Sequence, residues 1–598
     1  MGFPSKETVM QSIEDYFRHI HPISYFAFLH KASVIQGYVK GYADDAFILA
    51  LCGLTSQMLG STPEVQQQAA KWIERAQNMV LQNLERPSIF KIQVMLLIIG
   101  YKVHLHAMSS AFMLLPLAAR FAFAMRLNYE NPSLCWLAQE ARRRVIWAIF
   151  LLDTKAAAGL TEFTTCALET IHVQLPCREE DFELDNPQVT GNLESISLQP
   201  PPYIGLFTQY IRIMNIRDRI LRFTKQVAGT GKIESNPEQA VSNFESELHL
   251  FASTLPQSLG FSTRNLMLRA YSSELSQFIM IHVWWHQCHC DLYRLLFDGL
   301  QEAVSKRVLR EIDPELISYC RARCLDHARA LSAEIFATLL VADINIKVMD
   351  KDIAVCAYQS ARIISHGFRT TAERDHPLIE SVLTLVSNCS AVLNRFCANS
   401  PSALDIAREI DSTLAGRISS HSSASEPSSP AGSVNMSSEL PNIPAAPRLR
   451  QVFSRHSYFR ASGFIDDSSR LVAPLDSMST DQRDALPTFS PSPRVVREDH
   501  ADNPNTSKDS TGNGSDTGTA HHNSVLINTR IPSRTLVAPL PGHSNHGFRG
   551  QREDMTEVDW SNDGAYQMAW SSFDPWISGS YDQDNSHVQD FMAATWEQ

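Results

Sequence analysis

Glu140–Leu160, EARRRVIWAIFLLDTKAAAGL, is the stretch whose reading decides the fold. Glu140 stands three and four positions before Arg143 and Arg144, the spacing that puts opposite charges on one face of a helix. From Val145 to Leu152 nearly every position is apolar, so no face is left for water and the segment belongs inside a core. The run is far shorter than the roughly 20 residues that cross a bilayer. Asp153 ends it, and Gly159 is placed to close the helix in the left-handed conformation that glycine tolerates. Arg142, Arg143 and Arg144 read as partners for carboxylates within the fold, Glu140 first, rather than as a nucleic-acid patch.

Helical signals flank this stretch on both sides. Lys6–Ile20 has a helical apolar pattern that stops at His21-Pro22, and Asp44–Leu59 sets Phe47, Leu51 and Leu54 on one face. Thr62-Pro63-Glu64 and Asp313-Pro314-Glu315 each supply a cap residue, a proline at the first helical position and an acid at the positive end of the dipole. The first of these helices carries Trp72, Ala76 and Val80; Ser88 is placed to cap the next, Ile89–Val103. Residues 107–127 are almost wholly apolar, and 161–202 read as an irregular connection. Helices resume at Tyr203–Val227, from Asn236-Pro237-Glu238 to Leu255-Pro256, at Glu274–Leu300 and at Glu315–Leu340. Shorter ones follow near 353–367, 378–397 and 402–415. No stretch alternates with a period of two, so the pattern predicts an all-α fold, a multi-helix array over residues 1–415.

The central helix also carries a resemblance. Glu140, Arg143, Arg144, Trp147 (one position early), Phe150 and Asp153 are similar to the signature helix of the fungal-specific transcription factor domain, the regulatory middle region of zinc binuclear cluster factors. Tyr16-Phe17-x-x-Ile20-His21-Pro22 and Phe28-Leu29-His30-Lys31 resemble that family's opening. Trp72, Ala76 and Pro87-Ser88-x-x-x-x-Gln93 resemble its next segment, and Ala118-x-Arg120-x-Ala122-x-x-x-Arg126-Leu127 the one before the signature. Val173-x-Leu175-Pro176-x-x-Glu179-x-Asp181-Phe182 resembles the one after it. The motifs fall in the family's order across residues 5–300. The resemblance implies a nuclear regulator of RNA polymerase II transcription. Its expected partners are DNA, a second copy or a related factor as dimer partner, and a small-molecule inducer. It also implies a zinc cluster, which needs six cysteines within about 30–40 residues because two zinc ions share thiolates. Cys52, Cys135, Cys166 and Cys177 are scattered, so the cluster is absent from this sequence. Zinc is therefore expected only in a cluster upstream of it, and DNA contact through that cluster or through a partner factor.

Bulk composition fits this picture. The 598 residues are 44% hydrophobic and 19% charged, ordinary globular values. Eleven cysteines at irregular spacing indicate reduced thiols. Neither a signal core nor a membrane-spanning run is present, so no membrane partner is expected. Of the net charge of −12, ten acids and no Lys or Arg follow Arg552. The preceding part is nearly neutral, which leaves no electrostatic footprint for phosphate.

After Gly416 the composition shifts to Ser, Pro, Asn and Gly, and residues 416–552 read as a disordered linker. Residues 553–598 interleave Trp560, Trp570, Phe573, Trp576, Phe591 and Trp596 with acids. Mutual repulsion of the acids keeps the rings solvated and available to apolar grooves of a coactivator, which is the composition of an activation segment.

Two constellations invite a chemical reading. His282, His286 and His289 recur at helical spacing, as metal ligands on a helix do, and Trp284-Trp285 between them favours a core helix or the wall of a small-molecule pocket. Asp44-Asp45 and Asp181-x-x-x-Asp185 lack the second acidic motif that a metal-dependent all-α enzyme needs. Neither a phosphate-binding glycine loop nor a nucleophile elbow occurs, so no catalytic residue is assigned. Two alternatives to a self-sufficient activator remain: a DNA-binding-deficient dimer partner, and a metabolite-sensing helical module without transcriptional output of its own.

Overall fold

Side-chain caps start the helices where the sequence signals place them. The computed structural model describes residues 2–422, apart from 61, 83, 194–203, 231–236, 301–302 and 371–375. The Asp44 carboxylate accepts from the backbone N–H of Ala46 and Phe47, the Ser88 hydroxyl from Lys91 and the Asp313 carboxylate from Glu315. Each satisfies a donor that the first helical turn leaves orphaned, worth about 1 kcal/mol.

The helices are α1 (Lys6–Asp15), α2 (Lys31–Val39), α3 (Asp45–Leu59), α4 (Pro63–Leu81), α5 (Ile89–His104), α6 (Met108–Ala124) and α7 (Trp136–Ala157). Then come α8 (Glu179–Glu183), α9 (Leu206–Thr230), α10 (Pro237–Ser253), α11 (Thr263–Leu268), α12 (Leu275–Tyr293) and α13 (Lys306–Leu309). The last are α14 (Pro314–Ala330), α15 (Ala337–Val341), α16 (Asp352–Thr370), α17 (His376–Phe396) and α18 (Pro401–Ser422). Among the described residues there is no strand, and no helix is long and apolar enough to cross a membrane.

Packing follows chain order. α3 lies against α1, α4 and α5; α5 meets α6, and α6 meets α7. From α7 contacts pass to α9, α12, α14, α16, α17 and α18 in turn. A single apolar cluster runs through the array from Val9 to Ile410. The segment Val145–Leu152 of α7 is buried on every side, as its unbroken apolar run demands.

Several boundaries differ from the pattern. The pattern predicts closure of α7 at Gly159, but Ala158 is the left-handed cap (φ 48°) and Gly159 is a second left-handed residue (φ 82°). A Cβ at Gly159 would lie 2.6 Å from the backbone carbon of Leu221, so glycine there lets α9 approach. The helix predicted over Glu274–Leu300 ends at Tyr293 in a 3-10 turn. The one predicted over Glu315–Leu340 is interrupted by a π turn, Leu331–Phe336, where Asn388 of α17 donates to the Ser332 carbonyl. α2 gives no Ser, Thr, Asp or Asn signal because its cap is His30, whose Nδ1 accepts from Ser33 N–H. Pro116 sits inside α6, where it removes one helical hydrogen bond without ending the helix. α18 continues to Ser422, into the segment that composition assigns to the linker. From residue 423 on, that linker and the segment 553–598, with Trp560, Trp570, Phe573, Trp576, Phe591 and Trp596, lie outside the described residues.

Gly100 in α5 tests the packing. A Cβ there would fall 2.2 Å from Cζ of buried Phe26. Alanine in a free helix is favoured over glycine by about 1 kcal/mol. Gly100→Ala is nevertheless expected to lower urea-unfolding stability by about 1–3 kcal/mol, the usual cost of overpacking. A stabilised variant would contradict this contact.

Candidate functional site

Arg144 is fully buried in the middle of α7, where an unpaired charge could not persist. Its Nε donates to Glu140 Oε1 (3.0 Å) one turn earlier. One terminal nitrogen donates to Glu179 Oε2 of α8 (2.6 Å) and to the Ala27 carbonyl (3.1 Å). The other donates to the Cys177 carbonyl (3.1 Å), and the guanidinium lies 3.9 Å from the centre of the Phe182 ring. Glu140 is equally buried: Oε1 also accepts from Cys177 N–H (2.9 Å), and Oε2 faces Arg143 (3.4 Å). Arg143 in turn donates to Glu130 (2.8 Å), which also accepts from Gln174 N–H. Glu179 receives a second partner, His21 Nε2, at 2.7 Å.

Burial would raise the Glu179 carboxyl, but the Arg144 charge and His21 outweigh it and hold it well below the usual carboxylate range. Burial likewise opposes the Arg144 charge, and Glu179 and Glu140 reverse that and push it further up. Arg142 behaves differently: it donates to the Met125 and Arg126 carbonyls (3.3 and 3.1 Å) and closes the C-terminal end of α6. Trp147 donates to the Gln174 carbonyl (2.9 Å) and packs edge-on against Phe150, their ring centres 5.4 Å apart. Asp153 accepts from the backbone of Thr165 and Cys166 (2.9 and 2.8 Å), fixing the chain after α7. Glu140, Arg144, Trp147 and Asp153 thus bond directly to residues 165–179, Arg143 reaches them through Glu130, and Phe150 packs on Trp147 within α7.

The other end of α7 carries a second buried node that the sequence pattern does not single out. Lys155 Nζ lies 2.6 Å from Asp352 and 3.7 Å from Asp350. It also donates to the Tyr210 hydroxyl (3.1 Å), which accepts from Trp284 Nε1 (3.1 Å) and donates to Asp350 (2.9 Å). The same ammonium lies 4.3 Å from the centre of the Tyr25 ring. Burial opposes ionisation of Asp352, but Lys155 beside it keeps the carboxyl low. A buried lysine in the turn that follows the apolar run 145–152 is a signal that a partner exists. Nothing in the spacing identifies that partner nearly two hundred residues later.

The three histidines of α12 do not converge. His282 Nε2 donates to the Leu259 carbonyl (2.9 Å). His286 Nδ1 meets Nδ1 of His327 on α14 (3.2 Å), so one ring donates and the other accepts. His289 donates to the Trp285 carbonyl and stacks on His327, ring centres 3.9 Å apart. Among the described residues no three His, Cys, Asp or Glu side chains are grouped to hold a metal. Burial drives these imidazoles toward the neutral form: His282 and His289 fall to about 4, His286 to about 3 and His327 to about 2.

Two expectations follow. Arg144→Met leaves Glu140 with Arg143 alone and Glu179 with His21 alone, and is expected to cost about 3–5 kcal/mol. Arg144→Lys keeps the charge but not the fork and should fall between wild type and Arg144→Met in thermal midpoint. Equal midpoints for Arg144→Met and wild type would contradict the node. The histidines give a pH dependence. Unfolded imidazoles take up protons near about pH 6.5. Folded ones stay neutral to about 4 or below, so between those values the unfolded state binds more protons and stability falls as pH falls. Lowering the pH from about 7 to about 5 should depress the thermal midpoint, and less so in His286→Gln. A midpoint flat over that window would contradict it.

Residues 13–252 match the family model "Fungal specific transcription factor domain". "Zn(2)-C6 fungal-type transcription factor FTF1c" of Fusarium oxysporum f. sp. lycopersici is 25% identical over 369 residues, 55% of this chain and 38% of that protein. "Uncharacterized transcriptional regulatory protein C1327.01c" of Schizosaccharomyces pombe is 22% identical over 335 residues, 51% of this chain and 34% of its own length. The chain therefore spans between a third and two fifths of these relatives. No solved structure matches it. The His21, Glu140, Arg144 and Glu179 contacts all fall within the matched residues, and the chain carries a fungal specific transcription factor domain.

Proposed function

We propose that the chain regulates RNA polymerase II transcription in the nucleus. The helical region restrains or licenses an activation segment at 553–598. The observation that carries the reading is the match over residues 13–252, within which the sequence motifs converge on Arg144. Relatives named as Zn(2)-C6 transcription factors support a DNA partner. In this chain that contact comes from a zinc cluster outside these residues or from a partner factor bound as a dimer. The acidic–aromatic composition of 553–598 supports contact with a coactivator. A small-molecule inducer would act on the helical region. The reading gives the chain no catalytic role.

A second reading, a dimer partner that lends no DNA contact of its own, is favoured by the scattered cysteines. Reporter assays with the chain fused to a heterologous DNA-binding domain test the first. The full chain should activate, and deletion of 553–598 should return output to background. Undiminished output after that deletion would remove the activation segment from the proposal.

A further inference from the structure

A cleft opens where the N-terminal helices meet the loops at 342–351 and 397–400. Ile23, Phe26, Met58, Val348, Met349 and Phe396 give it apolar walls. His104, Lys347 and Lys351 bring three cation-forming or donor groups to it, and no carboxylate lines it among the described residues. The cleft is open at its mouth and narrow inside, so an occupant must be small.

His104 stands at the end of α5, 6% exposed, and its Nε2 has no hydrogen-bond partner among the described residues. A buried polar atom left so is costly and calls for a partner. Lys351 donates to the Val103 carbonyl (2.7 Å) at the same helix end, an interaction that satisfies one of an ammonium's three donors. Burial lowers Lys351 to about 8 and His104 to about 4, against the charged form in both, and an anion beside them would offset that cost. Lys347, at the exposed rim, adds charge that draws an anion inward.

We propose that this cleft is a binding site for a small organic anion, a carboxylate with a short apolar body, held by Lys351, Lys347 and Nε2 of His104. The carboxylate takes the donors; the body lies against Phe26, Met58 and Phe396. Lys351 is flanked by Asp350 and Asp352, which hold Lys155 at the end of α7. Occupancy is thus felt one residue from the node that fixes the signature helix. The proposal deepens the inducer part of the reading above, but it concerns binding alone and is measured without transcription.

The test uses the purified full chain with butyrate, benzoate and inorganic phosphate as probes, read by thermal midpoint and titration calorimetry. A carboxylate should raise the midpoint in a concentration-dependent way. Lys347→Ala, at an exposed position, should weaken binding about threefold. His104→Phe and Lys351→Met should weaken it about tenfold or more. No response to either carboxylate would overturn the site. Equal responses in wild type and Lys347→Ala would place the anion elsewhere on the surface and overturn it too. Phosphate acting as strongly as the carboxylates would overturn the ligand class. Reporter output does not enter any of these outcomes.

Discussion

The Arg144 guanidinium sets the terms for the first half of the fold. Burying one charge among apolar helices costs several kcal/mol, and only a complete set of partners offsets it. Arg144 collects its set from three separate parts of the chain: Glu140 in its own helix, Ala27 beyond α1, and Cys177 and Glu179 beyond α7. A planar fork with five donors can serve such scattered acceptors at once, and a lysine cannot. The node therefore acts less as a source of net stability than as a specification. The helices close on one another only when residues 16–27 and 174–182 both reach α7.

The end of α7 repeats the device with different chemistry. Lys155 is a flexible point charge and is held by two aspartates and a tyrosine instead of a fork. Because Asp350 lies just before α16 and Asp352 opens it, this node ties α7 to a helix beyond the matched residues. With Arg144 just before the apolar run 145–152 and Lys155 just after it, α7 is fastened on both sides of that run.

Local signals made the helices legible. A cap, a proline at the first position and an acid are read over four residues, and Asp313 keeps that reading in three dimensions. The burial of 145–152 was equally legible, since an unbroken apolar run has one destination. The signature positions could be named, and Glu140 pairing with Arg143 and Arg144 follows from helix geometry alone. The partners across the chain could not be derived. Glu179 and Asp352 look like surface acids in sequence, because nothing local marks an acid that will meet a buried cation. His327 was silent for the same reason: its significance comes from stacking on His289, which requires α12 and α14 to be neighbours first. Ala158 shows the limit in the opposite sense. A glycine one residue on is the better local candidate for the cap, yet the close approach of Leu221 reserves that glycine for packing.

Buried charge on this scale has a consequence for regulation. Replacing such pairs with well-packed apolar residues often stabilises a protein, so a core that keeps them gives up stability. What it keeps is sensitivity. An apolar contact loses little when its neighbour shifts slightly, whereas a buried ion pair loses hydrogen bonds and leaves charges unsolvated. The arrangement at Lys155, Asp350 and Asp352 therefore offers few intermediate states: the start of α16 is either seated against α7 or costly to hold near it. On the function proposed above, a helical region that restrains or licenses another segment needs an element with two discrete arrangements, and a small bias between them is enough. The loop that carries Lys347 and Lys351 leads straight into that element, so an anion bound as proposed in the adjoining cleft would act next to this node.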